Sequence, residues 1–298
     1  MIVAITGATG FVGRHVARLL VERGHRVRAL VRDPAHAPFS SGAALELIHG
    51  DLADRGAVAA LVAGADAVVH LVGIITERGA ATFAAVHVEG TRRVVEAALA
   101  AGVRRLVHMS AVGARDQAGA TLYHRTKAQA ERIVRGSGLA AAVFRPSFIS
   151  GPENIPIRTL ARLHRLLPAI PVFGDASFPT QPVWIGDVAL AFALAVERPE
   201  LRGDYELGGP GIVPYAELVR AIGRACGHPR PLLQVPLGLM RAAARAFDLI
   251  PGAPITSAQL QMLVEGSATP ANAIESVFGI LPVPFEEGLR RYLGVSRS

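Results

Sequence analysis

The chain has 31 basic residues but only one lysine, Lys127, which stands four residues after Tyr123. With four tyrosines in 298 residues, that pairing is uncommon by chance. Arginine and lysine differ in shape, hydration and acidity, so an arginine-rich chain that keeps one lysine points to a task for a compact ammonium. Residues i and i+4 share one helix face. An ammonium beside a phenol favours the phenolate and would lower the pKa of Tyr123. That suits the phenol to pass a proton in a carbonyl–alcohol interconversion. Tyr123 and Lys127 are therefore the leading catalytic candidates, with Ser110 as a weaker third that would hold a substrate oxygen. A bare Tyr-x-x-x-Lys pair is usually no more than two surface neighbours; the lone lysine and the residues upstream reverse that expectation.

Upstream, Thr6-Gly7-Ala8-Thr9-Gly10-Phe11-Val12-Gly13 lies directly between an apolar strand and a helical stretch. Glycines at such a turn let the backbone approach a pyrophosphate, and the helix N-terminus offers free N–H donors. The spacing is G-x-x-G-x-x-G rather than the dinucleotide fingerprint G-x-G-x-x-G. Gly7, Thr9, Gly10, Phe11, Val12, Gly13 and Arg14 are read as the phosphate-binding set of a nicotinamide dinucleotide, and Lys127 also as a partner of its nicotinamide ribose. The second strand exits at Arg32-Asp33. An arginine there accommodates a 2′-phosphate, whereas an acidic residue binds the ribose 2′-hydroxyl. Arg32, with Arg14 flanking, favours NADP(H); Asp33 keeps NAD(H) as the alternative. Asp51 and Leu52, after the third strand, are placed at the adenine, against the plainer reading of an ordinary Gly-Asp turn. Leu71, Val72 and Gly73 at the fourth strand's exit, and Arg145-Pro146 at the sixth, complete the expected cofactor set.

Positioning these residues requires an α/β frame, and the hydrophobic pattern supplies one. Short apolar strands are predicted at Ile2–Thr6, Arg26–Val31, Leu45–His49, Ala67–Val72, Arg105–Met109 and Ala140–Phe144. Helices are predicted between them at Phe11–Arg23, Arg55–Val62, Ala84–Ala100 and Tyr123–Arg135. That alternation specifies a doubly wound parallel Rossmann sheet with helices on both faces. After Arg145-Pro146 prolines become frequent and the elements shorten. Predicted there are helices at Ile157–Leu167, Val188–Glu197, Tyr215–Cys226, Leu237–Leu249, Ser257–Glu265 and Phe285–Leu293, and strands at Pro182–Ile185 and Gly203–Leu207. Residues 1–150 are thus expected to form the NADP(H)-binding domain, with 176–208 packing back onto it. Residues 151–298 form a smaller, mostly helical substrate or cap region, expected over the sheet's carboxyl edge.

Together these segments resemble an extended or atypical short-chain dehydrogenase/reductase. The likeness rests on the glycine loop, the Tyr123–Lys127 pair and Arg145-Pro146. Closer still is the branch of the nucleotide-binding accessory subunit of respiratory complex I and its bacterial relatives. That likeness is carried by His87-Val88-Glu89-Gly90-Thr91, His108-Met109-Ser110-Ala111-Val112-Gly113-Ala114, Phe144-Arg145-Pro146-Ser147, Gln181-Pro182-Val183-Trp184-Ile185-Gly186-Asp187 and Tyr205-Glu206-Leu207-Gly208-Gly209-Pro210. The resemblance spans nearly the whole chain. It implies a bound dinucleotide and, for reductases of the superfamily, a Ser or Thr hydroxyl at the fifth strand's exit. Here Ala111 occupies that place, leaving Ser110 as a substitute or as a strand-capping serine. Where many relatives carry asparagine before Val-x-Gly-Thr, this chain has His87, read as a core histidine in preference to a neutral hydrogen bonder.

Composition narrows the alternatives. Half the residues are hydrophobic (51%) and 18% are charged, which excludes a disordered chain and allows a sizeable core. The arginines are scattered rather than striped with aromatics, so no nucleic-acid partner is expected. One cysteine, Cys226, excludes an internal disulfide and any multi-cysteine metal site, and the ten histidines show no ligand spacing. No apolar run reaches a membrane span. Met1 leads straight into Ile2-Val3-Ala4-Ile5 without a basic segment, so a cytoplasmic location is expected, with peripheral attachment to a membrane as a variant. Two functions follow. One is an NADP(H)-dependent oxidoreductase or epimerase-like enzyme on a carbonyl or alcohol, its substrate hydrophobic, such as a quinone-like or isoprenoid compound. The other is a non-catalytic NADPH-binding subunit of a protein assembly at a membrane surface. Helix Leu237–Leu249, apolar on one face and broken by Arg241, Arg245 and Asp248, is read as core packing before any membrane-surface role.

Overall fold

The computed structural model describes residues 1–248 and 256–294. The chain divides into two compact units, the first made of Met1–Pro146, Ile185–Leu207 and Ala273–Ile280, the second of Ser147–Trp184, Gly208–Asn272 and Leu281–Ser298.

In the first unit seven strands form one sheet: β1 (Ile2–Thr6), β2 (Arg26–Val31), β3 (Leu45–His49), β4 (Ala67–His70), β5 (Arg105–Met109), β6 (Ala140–Pro146) and β7 (Gly203–Leu207). Their order is β3-β2-β1-β4-β5-β6-β7 and every pairing is parallel. Parallel strands need crossovers, and four of these run through helices, α1 (Phe11–Glu22), α2 (Arg55–Val62), α3 (Gly90–Ala100) and α4 (Leu122–Arg135), whereas β2 and β3 are joined through only a short turn at Pro34–His36. The strand order reverses between β1 and β4. In such sheets ligands bind at that switch point, beyond the carboxyl ends of the strands.

Sequence fixes these helices locally. Asp54 starts α2 by accepting from the Ala57 N–H at 2.9 Å, and Thr121 starts α4 by accepting from the His124 N–H at 3.2 Å. One sheet face is closed by an apolar cluster in which Ala4, Val68, Leu106 and Val143 meet Val58, Leu61, Val94, Ala98 and Val134. The predicted helix Ala84–Ala100 divides in two: Ala84–Glu89 is a π-helical turn and the regular helix begins only at Gly90. A π-turn widens the helix by one residue and lets a side chain leave its ordinary row. The residue so placed is His87.

In the second unit, α5 (Ile155–Leu166) enters through Asn154, whose side chain accepts from the Ile157 N–H. The helix α6 (Ile185–Glu197) belongs to the first unit and packs on α1; its apolar run Val188–Val196 is buried there except for the half-buried Leu190. Two further helices, α7 (Tyr215–Ala225) and α8 (Leu237–Phe247), follow, and then α9 (Ser257–Glu265). Short α10 (Ala273–Ser276) lies in the first unit and α11 (Phe285–Leu293) in the second. The second core joins Ile157, Ile170, Val172, Leu218, Ile222, Cys226 and Leu289. Cys226 caps the end of α7 and is buried. In α8 Ala244 is buried while Leu239, Arg241 and Arg245 are exposed; Leu249, the last residue predicted for that helix, lies outside the described residues. Among the described residues no helix is long and apolar enough to cross a membrane.

Candidate active site

The glycine loop leaves β1 under tight steric control. Gly7 has φ +78°, and a Cβ there would stand 2.9 Å from the Val72 backbone nitrogen. A Cβ at Gly13 would stand 2.0 Å from the Gly7 carbonyl oxygen. These positions admit only glycine, because the loop, the exit of β4 and the first turn of α1 are in backbone contact. Gly10 is the N-cap of α1 and no side chain caps that helix. The amides of Phe11, Val12 and Gly13 therefore open the positive end of a 12-residue helix. Leu71 and Val72 touch the loop from β4, so the structure brings this part of the expected set together. The donor set and the cradle fit a dinucleotide pyrophosphate.

Around that cradle the charged candidates separate. Arg14 folds back, donating from Nη2 to the Thr9 carbonyl at 3.0 Å and from Nε to the Gly10 carbonyl at 3.3 Å. Arg32 at the exit of β2 is exposed and makes no hydrogen bond or ion pair among the described residues. Its neighbour Asp33 accepts from the Ala35 N–H at 3.0 Å and meets His36 Nδ1 at 2.7 Å. Asp51 closes its own turn, accepting from the Ala53 and Asp54 amides. Leu52 lies against Gly90, where a Cβ would stand 2.7 Å from its Cδ1. Arg145 lies two strands beyond β4 and is committed elsewhere. Its Nε and Nη2 grip the Glu131 carboxylate at 2.7 and 2.6 Å, and Asp204 joins at 3.1 Å. Pro146, paired in register with Leu207, accepts from the Val112 N–H. The structure thus gives Arg145 an ion-pair role on β6 and does not bring it to the glycine loop.

On α4, Lys127 is buried and Tyr123 half-buried. Lys127 Nζ donates to the Met109 carbonyl oxygen at 3.0 Å. A Cβ on Gly73 would stand 3.0 Å from the same nitrogen, so the ammonium lies between the exits of β4 and β5. Burial lowers its pKa to about 8, with the Glu131 carboxylate opposing. Tyr123 packs among rings, edge-on to Phe83 at 5.9 Å, to His87 at 5.6 Å and to His124 at 5.4 Å. Here the expectation of an acidified phenol is corrected: burial raises the Tyr123 pKa to about 12. The ammonium that was to lower it is spent on a backbone carbonyl. Ser110, at the exit of β5, is 3% exposed, and its hydroxyl has no hydrogen-bond partner among the described residues.

Sequence reasoning undervalued the histidines of this region. His70 and His108 face each other across β4 and β5 in register and stack at 5.2 Å. His87 Nε2 lies 3.1 Å from the Ile74 N–H and its Nδ1 lies 3.0 Å from Thr126 Oγ1. Burial pushes His70 and His87 down to about 3, and His108 well below its ordinary value. The available signal was a histidine at the fourth position of two apolar strands, Ala67-Val68-Val69-His70 and Arg105-Leu106-Val107-His108.

A family model described as NAD(P)H-binding matches residues 7–166. A ceramide reductase of Caulobacter vibrioides is 34% identical over 247 residues, 82% of this chain and 76% of that protein. The NADH dehydrogenase [ubiquinone] 1 alpha subcomplex subunit 9 of Rattus norvegicus is 28% identical over 98% of this chain and 80% of its own. In fold, DesIV, a dTDP-glucose 4,6-dehydratase of Streptomyces venezuelae solved with NAD and TYD bound, superposes with a TM-score of 0.76. It covers 98% of this chain and 96% of its own at 23% identity. A glycine-only cradle at the β1–β4 switch point, a Tyr-x-x-x-Lys helix beside it and a match over more than half the sequence have one reading: the chain belongs to the NAD(P)H-binding short-chain dehydrogenase/reductase family, in its extended or atypical form.

Proposed function

We propose that the chain is an NADP(H)-dependent reductase of a carbonyl group on an apolar substrate. The observation that carries this reading is the buried, unpartnered hydroxyl of Ser110. A buried polar group left unpaired costs about 1–3 kcal/mol, which a ligand oxygen would recover. Ser110 supplies that donor where the neighbouring Ala111 has none. When bound, the nicotinamide supplies the hydride equivalent that a carbonyl carbon accepts. Tyr123, with its pKa near 12, holds its proton at neutral pH and passes it from Oη to the substrate oxygen. Lys127, anchored to the Met109 carbonyl beside Gly73, would hold the nicotinamide ribose. Gly7 to Gly13, Leu71, Val72 and Gly73 form the remaining wall of the cofactor site.

The preference for NADP(H) rests on Arg32 and Asp33. Asp33 is engaged by Ala35 and His36, whereas Arg32 is exposed and uncommitted. That leaves a guanidinium for a 2′-phosphate, while each oxygen of the neighbouring carboxylate already has a partner. The second unit, which exposes Ile155, Leu239 and Leu281, is assigned to substrate selection. An apolar substrate also agrees with the similarity to a ceramide reductase.

Ala111 favours a second reading, a dinucleotide-binding subunit without turnover, in line with the similarity to the complex I subunit. One experiment separates them. Gently purified protein is denatured and the released dinucleotide identified by mass spectrometry, while native protein with NADPH is offered long-chain aldehydes, 3-oxo lipids and quinones. Reversible NADPH binding with consumption on one of these supports the reductase. Tightly retained NADPH that none of them oxidises supports the subunit. A protein that neither carries nor binds a dinucleotide ends both readings.

A further inference from the structure

His87 joins two segments that the proposed chemistry must hold at a fixed separation. Ile74 donates its N–H to His87 Nε2 at 3.1 Å, and Ile74 directly follows Gly73 at the exit of β4. On the opposite edge of the ring, Nδ1 lies 3.0 Å from Thr126 Oγ1, and Thr126 sits on α4 between Tyr123 and Lys127. A ring nitrogen that accepts an amide hydrogen carries none of its own. Nε2 is therefore bare, and Nδ1 bears the proton that is donated to Thr126. The Thr126 hydroxyl passes its own hydrogen to the carbonyls of Leu122 and Tyr123, at 2.9 and 3.0 Å.

The same residue is tied from below. The His87 carbonyl accepts from the Thr91 hydroxyl at 2.6 Å. Thr91 Oγ1 then has only acceptor capacity left for His70, so His70 Nε2 donates to it at 3.0 Å. His70 Nδ1 in turn accepts from the Thr6 hydroxyl at 2.6 Å. One set of proton positions satisfies the whole series, from Thr6, next to Gly7, to Thr126, next to Lys127. His87 is 1% exposed, and its ring is hemmed by Phe83 at 5.4 Å and by Tyr123. The π-turn aims the imidazole into this position.

We propose that His87 is a single-tautomer positioning residue that clamps the Gly73–Ile74 segment to the Tyr123–Lys127 turn of α4, and so sets the nicotinamide end of the cofactor against the proton donor. This rests on the dinucleotide reading given above. Neither bond reaches the glycine loop, so the clamp governs one end of the cofactor and not the other. The Gly7–Gly13 cradle is built from backbone and needs no help from His87.

The test uses H87A, H87N and H87Q in the full chain. Glutamine reaches the Nε2 position and keeps the Ile74 bond; asparagine reaches the Nδ1 position and keeps the Thr126 bond. Hydrogen exchange at the Ile74 amide reports the clamp without any turnover: H87A and H87N should speed it and H87Q should not. Each protein is also titrated with NADPH and with 2′-phospho-ADP-ribose, which lacks the nicotinamide. H87A should weaken NADPH by about tenfold, because the unclamped Gly73–Ile74 segment must then be ordered on binding, while holding the fragment within about twofold. H87Q should recover most of the NADPH affinity. Equal weakening of both ligands, or NADPH affinity unchanged in H87A while the Ile74 amide exchanges freely, overturns the positioning role. Wild-type protein that binds neither ligand overturns the dinucleotide reading and this role with it, an outcome distinct from failure of the variants alone.

Discussion

Lys127 Nζ donates to the Met109 carbonyl oxygen at 3.0 Å and makes no hydrogen bond to the Tyr123 phenol four residues earlier. The pair shares a helix face, yet the ammonium is anchored to the exit of β5 while the phenol lies among Phe83, His87 and His124. Tyr123 is thereby kept as a protonated phenol, and Lys127 as a buried charge beside Gly73.

Replacing Tyr123 by phenylalanine removes the proton donor and little else. NADPH-dependent turnover should fall by about 10²–10⁴-fold, the usual share of a positioned acid. Cofactor affinity by fluorescence titration should stay within about threefold, since the phenol adds little more than one hydrogen bond to binding. Wild-type rates in Tyr123→Phe would remove that residue from the mechanism.

Lys127 is a buried ammonium with its pKa lowered to about 8. It is charged below that value and neutral above, so an interaction that needs the charge is lost as pH rises through about 8. NADPH affinity measured from pH 6.5 to 9.5 should decline on that alkaline limb, a fall absent from the Lys127→Ala protein. A flat wild-type profile would mean that the charge does not act on the cofactor.

Arg32→Ala should separate the two dinucleotides. A lost charge-assisted hydrogen bond to phosphate is worth about 1.5–3 kcal/mol, which is roughly 10- to 150-fold in NADPH affinity, with NADH nearly unaffected. Isothermal titration with both cofactors decides it. Equal losses would point to a pyrophosphate contact or to folding.

The stacked histidines make the fold sensitive to acid. His70 titrates near 3 in the folded chain and near 6.5 when unfolded, and His87 behaves alike. Between those values the unfolded chain binds protons that the folded chain refuses. Stability is therefore full above about pH 6.5 and falls as pH drops toward 3, by up to about 1.4 kcal/mol per pH unit for each such histidine. His108 adds to this, with neither ring nitrogen hydrogen-bonded. His108→Leu should melt no lower than wild type at pH 7 and lose stability less steeply on acidification. Calorimetry from pH 7.5 to 5 checks both; an unchanged slope would acquit His108.

Glu131 is 1% exposed and is held by Arg145 at 2.6 Å and by Arg135 at 2.5 Å. Glu131→Ala removes the buried carboxylate but leaves both arginines on Asp204, so it should cost about 1–3 kcal/mol in urea unfolding. A loss below about 1 kcal/mol would show that the network behaves as a solvated surface pair.

Much of the frame was legible from local pattern. Arg55–Val62, Arg105–Met109, Gly203–Leu207, Ser257–Glu265 and Phe285–Leu293 fall on the residues predicted, because each is bounded by its own breaks or caps. The predicted strand Ala67–Val72 ends at His70. Its last two residues turn to meet Gly7, a demand set by a segment some sixty positions away. Helix Ala84–Ala100 contains its π-turn for a similar reason: nothing in the local periodicity announces that His87 must reach Ile74 and Thr126 at once. Missed altogether were the short strands of the second unit, Ile149–Ser150, Ile170–Phe173, Pro179–Thr180, Val213–Pro214 and Leu232–Val235, whose two to four residues are too few to carry a clear period.

By itself the sequence determined the family, the glycine cradle and the Tyr123–Lys127 helix, because spacing in the chain fixes which side chains share a turn or a face. The tertiary structure alone decided where the charges went. It sent Arg145 to Glu131, Asp33 to Ala35 and His36, and Lys127 to Met109. It also aligned His70 with His108, hung His87 between two segments and left Ser110 without a partner. Hydrogen bonds and burial depend on which strands become neighbours and in what register. That information belongs to the packed sheet, and no stretch of the chain holds it on its own.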